Sequence, residues 1–99
     1  DTARLRELLS LMEERPRLLD LLERTMNSRD ISVSFVQGEY DATPWAVVSA
    51  PYAPRDSQAP LGVVSAVGLL HMDYATVLPV VAHIASSVAG VLRSRLDIA

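Results

Sequence analysis

The sequence contains no cysteine among its 99 residues, and only 5% of them are aromatic. Without cysteine the chain forms neither disulfides nor thiolate metal sites. Cysteine usage therefore does not indicate whether the protein resides in an oxidising or a reducing compartment. Because aromatic residues are few, the core has to consist of aliphatic side chains. Lysine is also missing, so all nine basic residues of the charge count are arginines. We attribute this bias to genome composition or a hot habitat rather than to function.

The chain also lacks an excess of positive charge. Its formal net charge is −3 and its acids and bases are interspersed, which excludes an overall basic field for nucleic acid. It begins at Asp1 without a basic segment and an apolar run, so we expect a fragment of a longer protein with no signal peptide. Residues 77–92 are apolar but shorter than the roughly 20 residues of a membrane span, which predicts a buried helix rather than a membrane segment. We expect a cytoplasmic location. The length fits one domain, residues 1–99.

Leucine spacing predicts two amphipathic helices at the start of the chain. Over residues 3–14, Leu5, Leu8, Leu9 and Met12 follow the i, i+3, i+4, i+7 pattern of one helix face. Pro16 disfavours continuation and is suited to the first position of a second, leucine-rich helix. The interspersed charged residues, Glu7 among them, predict a solvated face.

Three strands are expected in the middle of the chain. Ile31, Val33 and Phe35 alternate with serines, the period of a half-buried strand, which Gly38 ends before a turn at residues 39–44. Residues 45–50 form a second strand, antiparallel to the first. Residues 51–60 contain three prolines and predict a loop. Residues 61–67 are apolar on both faces, which predicts a central strand.

The last element is an apolar helix. Asp73 is suited to its N-cap, and Pro79 falls past its first turn. Between Val77 and Leu92 the helix is apolar almost all round, which is typical of burial on more than one side. The sheet supplies one side, and an N-terminal helix or a second subunit supplies the other.

Few residues suggest chemistry. His83 lies among aliphatic residues, and His71 and Asp73 are too close together on a turn to form an acid–base pair readily. The serines lack a nucleophile-elbow motif. We therefore expect no catalytic residue, no metal site, no cofactor and no enzymatic activity. Trp45 and Tyr52 are candidate pocket residues, with packing in the core or at the sheet edge as the alternative.

Several short motifs occur in an order that resembles the C-terminal part of the heat-inducible transcription repressor HrcA family. They are Gly38-Glu39, Ser49 with Tyr52, the strand from Gly62 to Gly68, Met72-Asp73-Tyr74, and Val77-Leu78-Pro79-Val80. The resemblance covers roughly residues 29–92, and the leucine-rich start fits the helical segment that precedes this part of the family. The chain departs from the family pattern at Ser65, in place of a glycine, and at Leu69-Leu70-His71, in place of Pro-Thr-Arg.

The resemblance implies a GAF-like α+β domain: a small antiparallel sheet of about three or more strands, N-terminal helices and one long C-terminal helix. It implies a regulatory and dimerisation domain of a repressor of chaperone genes. The full-length protein would bind operator DNA through an N-terminal winged-helix domain, absent from this fragment, and the GroE chaperonin would modulate it. No DNA contact is expected from the fragment itself.

The sequence is compatible with two functions. The first is homodimerisation through apolar helix surfaces, with candidate dimer or packing residues Leu5, Leu8, Val81, Ile84 and Val88. The alternative is a GAF-type sensor of a small molecule, in which the loop at residues 51–60 is a lid and Trp45 and Tyr52 line the pocket.

Overall fold

The computed structural model describes residues 2–37, 44–55 and 59–98, with the side chains of this range up to residue 96. The elements, in chain order, are α1 (Thr2–Glu13), α2 (Arg15–Ser28), β1 (Ser32–Val36), β2 (Trp45–Tyr52), β3 (Gly62–Leu69) and α3 (Tyr74–Ile98). This is the predicted α+β domain, with an antiparallel sheet of three strands. Gly38 and the predicted turn, except Pro44, lie outside the described residues.

The predicted break between the first two helices near Pro16 is confirmed, although Pro16 is the second residue of α2 and not its first. Glu14 separates the two helices, and Pro16 lies in the first turn of α2, where its missing N–H has no helical acceptor. At the other end of α2, Arg29 adopts a left-handed conformation with φ of 58°, and its N–H donates to the Thr25 carbonyl over 3.2 Å. This closing turn directs the chain into β1.

The strands pair in chain order, β1-β2-β3, so β2 is the central strand. The prediction that the third strand is central is therefore wrong. β3 is apolar on both faces because α3 packs on one side of it and α2 on the other, although its outer edge has no strand partner within the described sheet. From Trp45 to Ala50, every residue of β2 is buried.

The sheet separates two hydrophobic clusters. On one face, Val36, Trp45 and Val47 pack with Leu11 of α1. On the opposite face, Val48 and Ala50 pack with residues of α3. Alternate residues of β2 point to opposite faces, so this single strand contributes to both clusters.

β1 is present as predicted, but its burial is reversed. Phe35 is 59% exposed and Val33 is 39% exposed, whereas Val36 is buried. Phe35 and Val33 lie on the face that α3 covers, and α3 packs over β2 and β3 rather than over β1. The apolar alternation therefore faces an area that the helix leaves open.

α3 begins where the sequence predicts and contains Pro79. The N–H groups of Thr76 and Val77 donate to the Asp73 carbonyl, at 3.1 and 2.9 Å. Of the two covers expected for the other side of this helix, the N-terminal helices are excluded, because α1 and α2 occupy the opposite face of the sheet. Burial against a second subunit stays a prediction. By length and composition α3 could cross a membrane, and 11% of its apolar window is buried inside the domain. Helices of soluble proteins can have the same length and composition.

Candidate functional site

The five candidate dimer or packing residues occupy different environments. Val81 is buried against the sheet, and Val88 and Leu8 are half-buried. Leu5 and Ile84 are exposed, at 55% and 44%. Leu5 and Ile84 are thus available to a partner, whereas Val81 belongs to the core of the domain.

One apolar surface lies on α1. Leu5, Leu9 and Met12 are all more than half exposed, and their spacing of four and three residues places them on one line of the helix. We call these residues the α1 stripe. The helix instead turns Leu11 and Glu7 toward the sheet, so the side with the most leucine and methionine is uncovered.

A second apolar surface lies on α3. Val80, Ile84 and Val91 are 50%, 44% and 60% exposed, and their spacing places them on one flank of the helix. We call these residues the α3 stripe. No charged residue occurs between Tyr74 and Leu92, so the α3 stripe has no charged side chain along this part of the helix.

Trp45 does not line a pocket with Tyr52. The two residues are at opposite ends of β2, and the alternation of the strand places them on opposite faces. The Trp45 Nε1 donates to Oε1 of Glu7 over 3.2 Å, and the Arg4 guanidinium lies 4.0 Å from the centre of the Trp45 ring. Trp45 therefore acts as a packing residue that joins α1 to the sheet.

Glu7 is buried, contrary to the predicted solvated helix face. It is 6% exposed, and its Oε2 is 3.3 Å from Nη1 of Arg4. A buried carboxylate requires such partners. The sequence offers one indication of an ion pair at Glu7, because Arg4 lies one turn earlier on the same side of α1. This spacing does not indicate that Trp45 packs against Glu7.

Tyr52 lines an open groove of about 580 Å³ on the α3 face of the sheet. One wall consists of the residues that connect α2 to β1, and the opposite wall is a flank of α3. The end of β2 forms the floor. Arg29 and Arg93 contribute to the two walls, and Ser86 and Asp30 also line the groove. Sequence reasoning selected Tyr52 but missed both arginines.

A smaller crevice of about 250 Å³ lies on the other face, between the N-terminal helices and the sheet. Its lining is mainly apolar, with Leu18, Leu21 and Leu22 on the helical side. The hydroxyl groups of Ser49 and Ser65 also line it and lie 2.9 Å apart, so they satisfy each other. This crevice therefore has few polar groups to orient a ligand.

Two arginines of α2 are paired with acids. Arg24 lies 3.0 Å from Asp20, as the i, i+4 spacing predicts, and Arg17 lies 3.1 Å from Glu14. Within the described ranges, no group of three His, Asp or Glu residues converges on a possible metal position. Arg17 and Arg24 therefore already have acidic partners, and no metal site is found among the residues that the structure describes.

The amino-acid sequence of the chain is similar to that of one family of known proteins. A family model described as the HrcA protein C terminal domain matches residues 1–78. A heat-inducible transcription repressor HrcA from Nitratidesulfovibrio vulgaris (strain DSM 19637 / Miyazaki F) is 42% identical over 100 residues, covering 96% of this chain and 27% of that protein. A protein of the same name from Sorangium cellulosum is 35% identical over 85 residues, covering 82% of this chain and 24% of the relative. The chain thus spans about a quarter of the length of these relatives. No solved structure matches it significantly.

Proposed function

The chain belongs to the HrcA family, and from this membership we propose that it is the regulatory and dimerisation domain of a heat-inducible transcription repressor. Its fold is GAF-like in this proposal, and it forms one domain over residues 1–99. The full-length repressor acts in the cytoplasm on operator DNA under modulation by the GroE chaperonin. Repression needs no chemical step, so we assign no enzymatic activity to the domain.

The α3 stripe is the observation that carries the dimerisation proposal. It exposes three large aliphatic side chains on a helix that has no charged residue from Tyr74 to Leu92. Exposed apolar surface of this kind is typical of interaction sites. A second copy of the chain is a suitable partner, because two such helices related by a two-fold axis present the same apolar side chains to each other.

DNA recognition is assigned to the part of the repressor outside this chain. The domain has a net charge of −3, and Arg17 and Arg24 on α2 already face Glu14 and Asp20. A protein that binds phosphates needs several unpaired cations on one surface. These observations favour a domain that holds two DNA-binding units together over one that contacts the operator.

The oligomeric state over a dilution series tests the proposal. In sedimentation velocity runs from high to low micromolar concentration, we expect a dimer for the unmodified chain. Ile84→Glu, in the α3 stripe, should shift it to monomer because a carboxylate would be buried in the interface. Leu61→Glu is the matched control, since Leu61 is 60% exposed but lies outside both stripes.

Other outcomes assign the interface differently. Leu9→Glu tests the α1 stripe in the same way, and loss of the dimer in this variant alone would move the interface to α1. A monomeric unmodified chain at high micromolar concentration would overturn the dimerisation proposal for this domain. Circular dichroism of each variant separates a lost interface from a lost fold.

The groove beside Tyr52 favours a second candidate function, the small-molecule sensor. Its volume of about 580 Å³ is within the range of ligand sites. The groove is lined by the flank of α3 that carries Ala82 and Ala89. The α3 stripe is on the opposite flank, so a ligand in the groove and a dimer partner do not compete for the same side chains.

A further inference from the structure

We propose that the groove beside Tyr52 binds a small organic anion, whose acidic group pairs with Arg29 and Arg93 while its apolar part lies on the alanines of α3. This inference names a ligand class for the sensor candidate and rests on that second function. It does not rest on dimerisation.

The two arginines come from separate elements. Arg29 follows the last turn of α2, and Arg93 lies in the C-terminal part of α3, yet both line the same groove. In the described part of the chain neither guanidinium forms an ion pair. The arginines of α1 and α2 that have such contacts face an acid one helical turn away, as in the pair Arg24–Asp20. The groove therefore presents two cations that have no acidic partner among the described side chains, in a chain whose overall charge is negative.

One acid also lines the groove. Asp30 is adjacent to Arg29, and its Oδ1 accepts a hydrogen bond from the Ile31 N–H over 2.8 Å. This contact gives the carboxylate a local structural role at the entry to β1. The described lining residues include two guanidinium groups and one carboxylate, so their formal charge is positive, which favours an anionic ligand over a cation.

The conformation of Arg29 provides an independent indication. Its φ of 58° is the one positive φ at a non-glycine position among the residues that the structure describes. Glycine is the usual residue at this place after a helix, because a Cβ is unfavourable there. An arginine at this position lowers the stability of the fold relative to glycine. A ligand-binding function of its side chain in the groove would explain why arginine occurs there.

The rest of the lining suits an apolar group. Ala82, Ala85 and Ala89 line it from α3, and their small side chains leave space that larger residues would fill. Tyr52 reaches across to Gly62, where an added Cβ would lie 2.6 Å from the ring carbon Cζ. Because Gly62 has no side chain, the Tyr52 ring can lie over the backbone of β3 at this position. Together these groups form a surface for a planar hydrocarbon ring.

Arginine determines which acidic group fits. A guanidinium presents parallel N–H donors that match the two oxygens of a carboxylate or the oxygens of a phosphate. The shared chemistry is an oxyanion attached to an organic ring, and both ester phosphates and carboxylates satisfy it. The two are distinguished by testing 1-naphthyl phosphate and 1-naphthoate separately.

The experiment is an NMR titration of the ¹⁵N-labelled 99-residue chain with each probe. We expect amide shifts concentrated at Ala82, Ala85 and Ala89. Arg93→Gln should weaken binding by about tenfold or more, because a charge-assisted pair is lost. Arg95→Gln is the matched control: it removes the same charge from the same helix, Arg95 does not line the groove, and binding should stay within about twofold.

Arg29→Gly removes the second guanidinium without threatening the fold, and it should also weaken binding by about tenfold. Unchanged affinity in both Arg93→Gln and Arg29→Gly would overturn the proposal, as would shifts confined to the apolar crevice around Leu18 and Leu22. Inorganic phosphate binding as tightly as naphthyl phosphate would overturn the role of the alanine surface. Neutral 1-naphthol binding in the groove as tightly as the anions would refute the ligand class and leave the sensor function standing.

Discussion

Trp45 and Glu7 form a buried hydrogen bond that joins the first helix to the central strand. The indole Nε1 donates to the carboxylate Oε1 over 3.2 Å, and the side chains of both residues are almost fully buried. Arg4 completes the arrangement by contacting Glu7 through its Nη1 and lying over the indole ring. These three residues and the buried Leu11 therefore hold α1 on the sheet, although most of its apolar side chains face outward.

Replacing Glu7 tests this relationship. Glu7→Ala leaves the Trp45 N–H buried without its acceptor, and we expect the free energy of unfolding to fall by about 1–3 kcal/mol. Glu13→Ala is the control, because Glu13 is an exposed glutamate of the same helix and its loss should change stability by less than about 0.5 kcal/mol. Urea titration followed by circular dichroism gives both values. Equal effects of the two substitutions would contradict a structural role for the hydrogen bond.

A substitution at Arg29 is expected to stabilise the domain, in contrast to the substitution at Glu7. Arg29→Gly removes the Cβ that the left-handed conformation disfavours, so the free energy of unfolding should rise by about 1 kcal/mol. Arg29→Ala keeps the Cβ and should give no such gain. Thermal unfolding of the two variants side by side measures the difference. A lower melting temperature for the glycine variant than for the alanine variant would be incompatible with strain at this position.

Gly62 and Gly90 should tolerate alanine differently. A Cβ at Gly62 would meet the Tyr52 ring, whereas the nearest atom to a Cβ at Gly90, apart from the backbone of its own helix, is Nη2 of Arg93 at 3.8 Å. We expect Gly62→Ala to lower the free energy of unfolding by about 1–3 kcal/mol, and Gly90→Ala to raise it by about 0.5–1 kcal/mol through helix propensity.

A double-mutant cycle identifies the cause at Gly62. In the Tyr52→Ala background the clash is absent, so Gly62→Ala should lose most of its effect. A cost that persists without the tyrosine ring would mean that the backbone of β3, and not Tyr52, requires glycine. Chemical denaturation of the four proteins supplies the cycle.

Valine-to-alanine substitutions test the order of the strands. Val48 has no exposed surface, whereas Val33 on β1 is 39% exposed. Val48→Ala should lower the free energy of unfolding by about 2 kcal/mol, from lost burial and the cavity that remains. Val33→Ala removes the same two methyl groups and should cost less than about 1 kcal/mol. Urea titration measures both losses of unfolding free energy. Similar losses at Val48 and Val33 would contradict the conclusion that α3 leaves this face of β1 uncovered.

The elements themselves were predictable because they depend on local signals. Pro16 marks the junction of two helices, and Asp73 precedes the third, and both effects arise from backbone geometry within a few residues. The strands follow from short apolar runs between turn residues. These signals need no knowledge of how the elements pack.

The environment of each element was less predictable because it depends on residues far away in the sequence. Glu7 resembles any other helix glutamate until Trp45 lies beside it. Phe35 has the alternation of a buried residue, but α3 packs elsewhere on the sheet. Arg29 and Arg93 share a groove only because α3 returns past the start of β1. The hydrophobic periodicity of a segment does not indicate which distant residues pack against it.

The meander order of the sheet has a kinetic consequence. β1 pairs with β2 and β2 pairs with β3, so every strand pair consists of neighbours along the chain, connected through residues 37–44 and residues 53–61. Closing such short segments costs little chain entropy, and low contact order is associated with rapid folding. Both hairpins contain β2. We therefore expect a transition state organised around this strand, with α3 docking after the hairpins have formed.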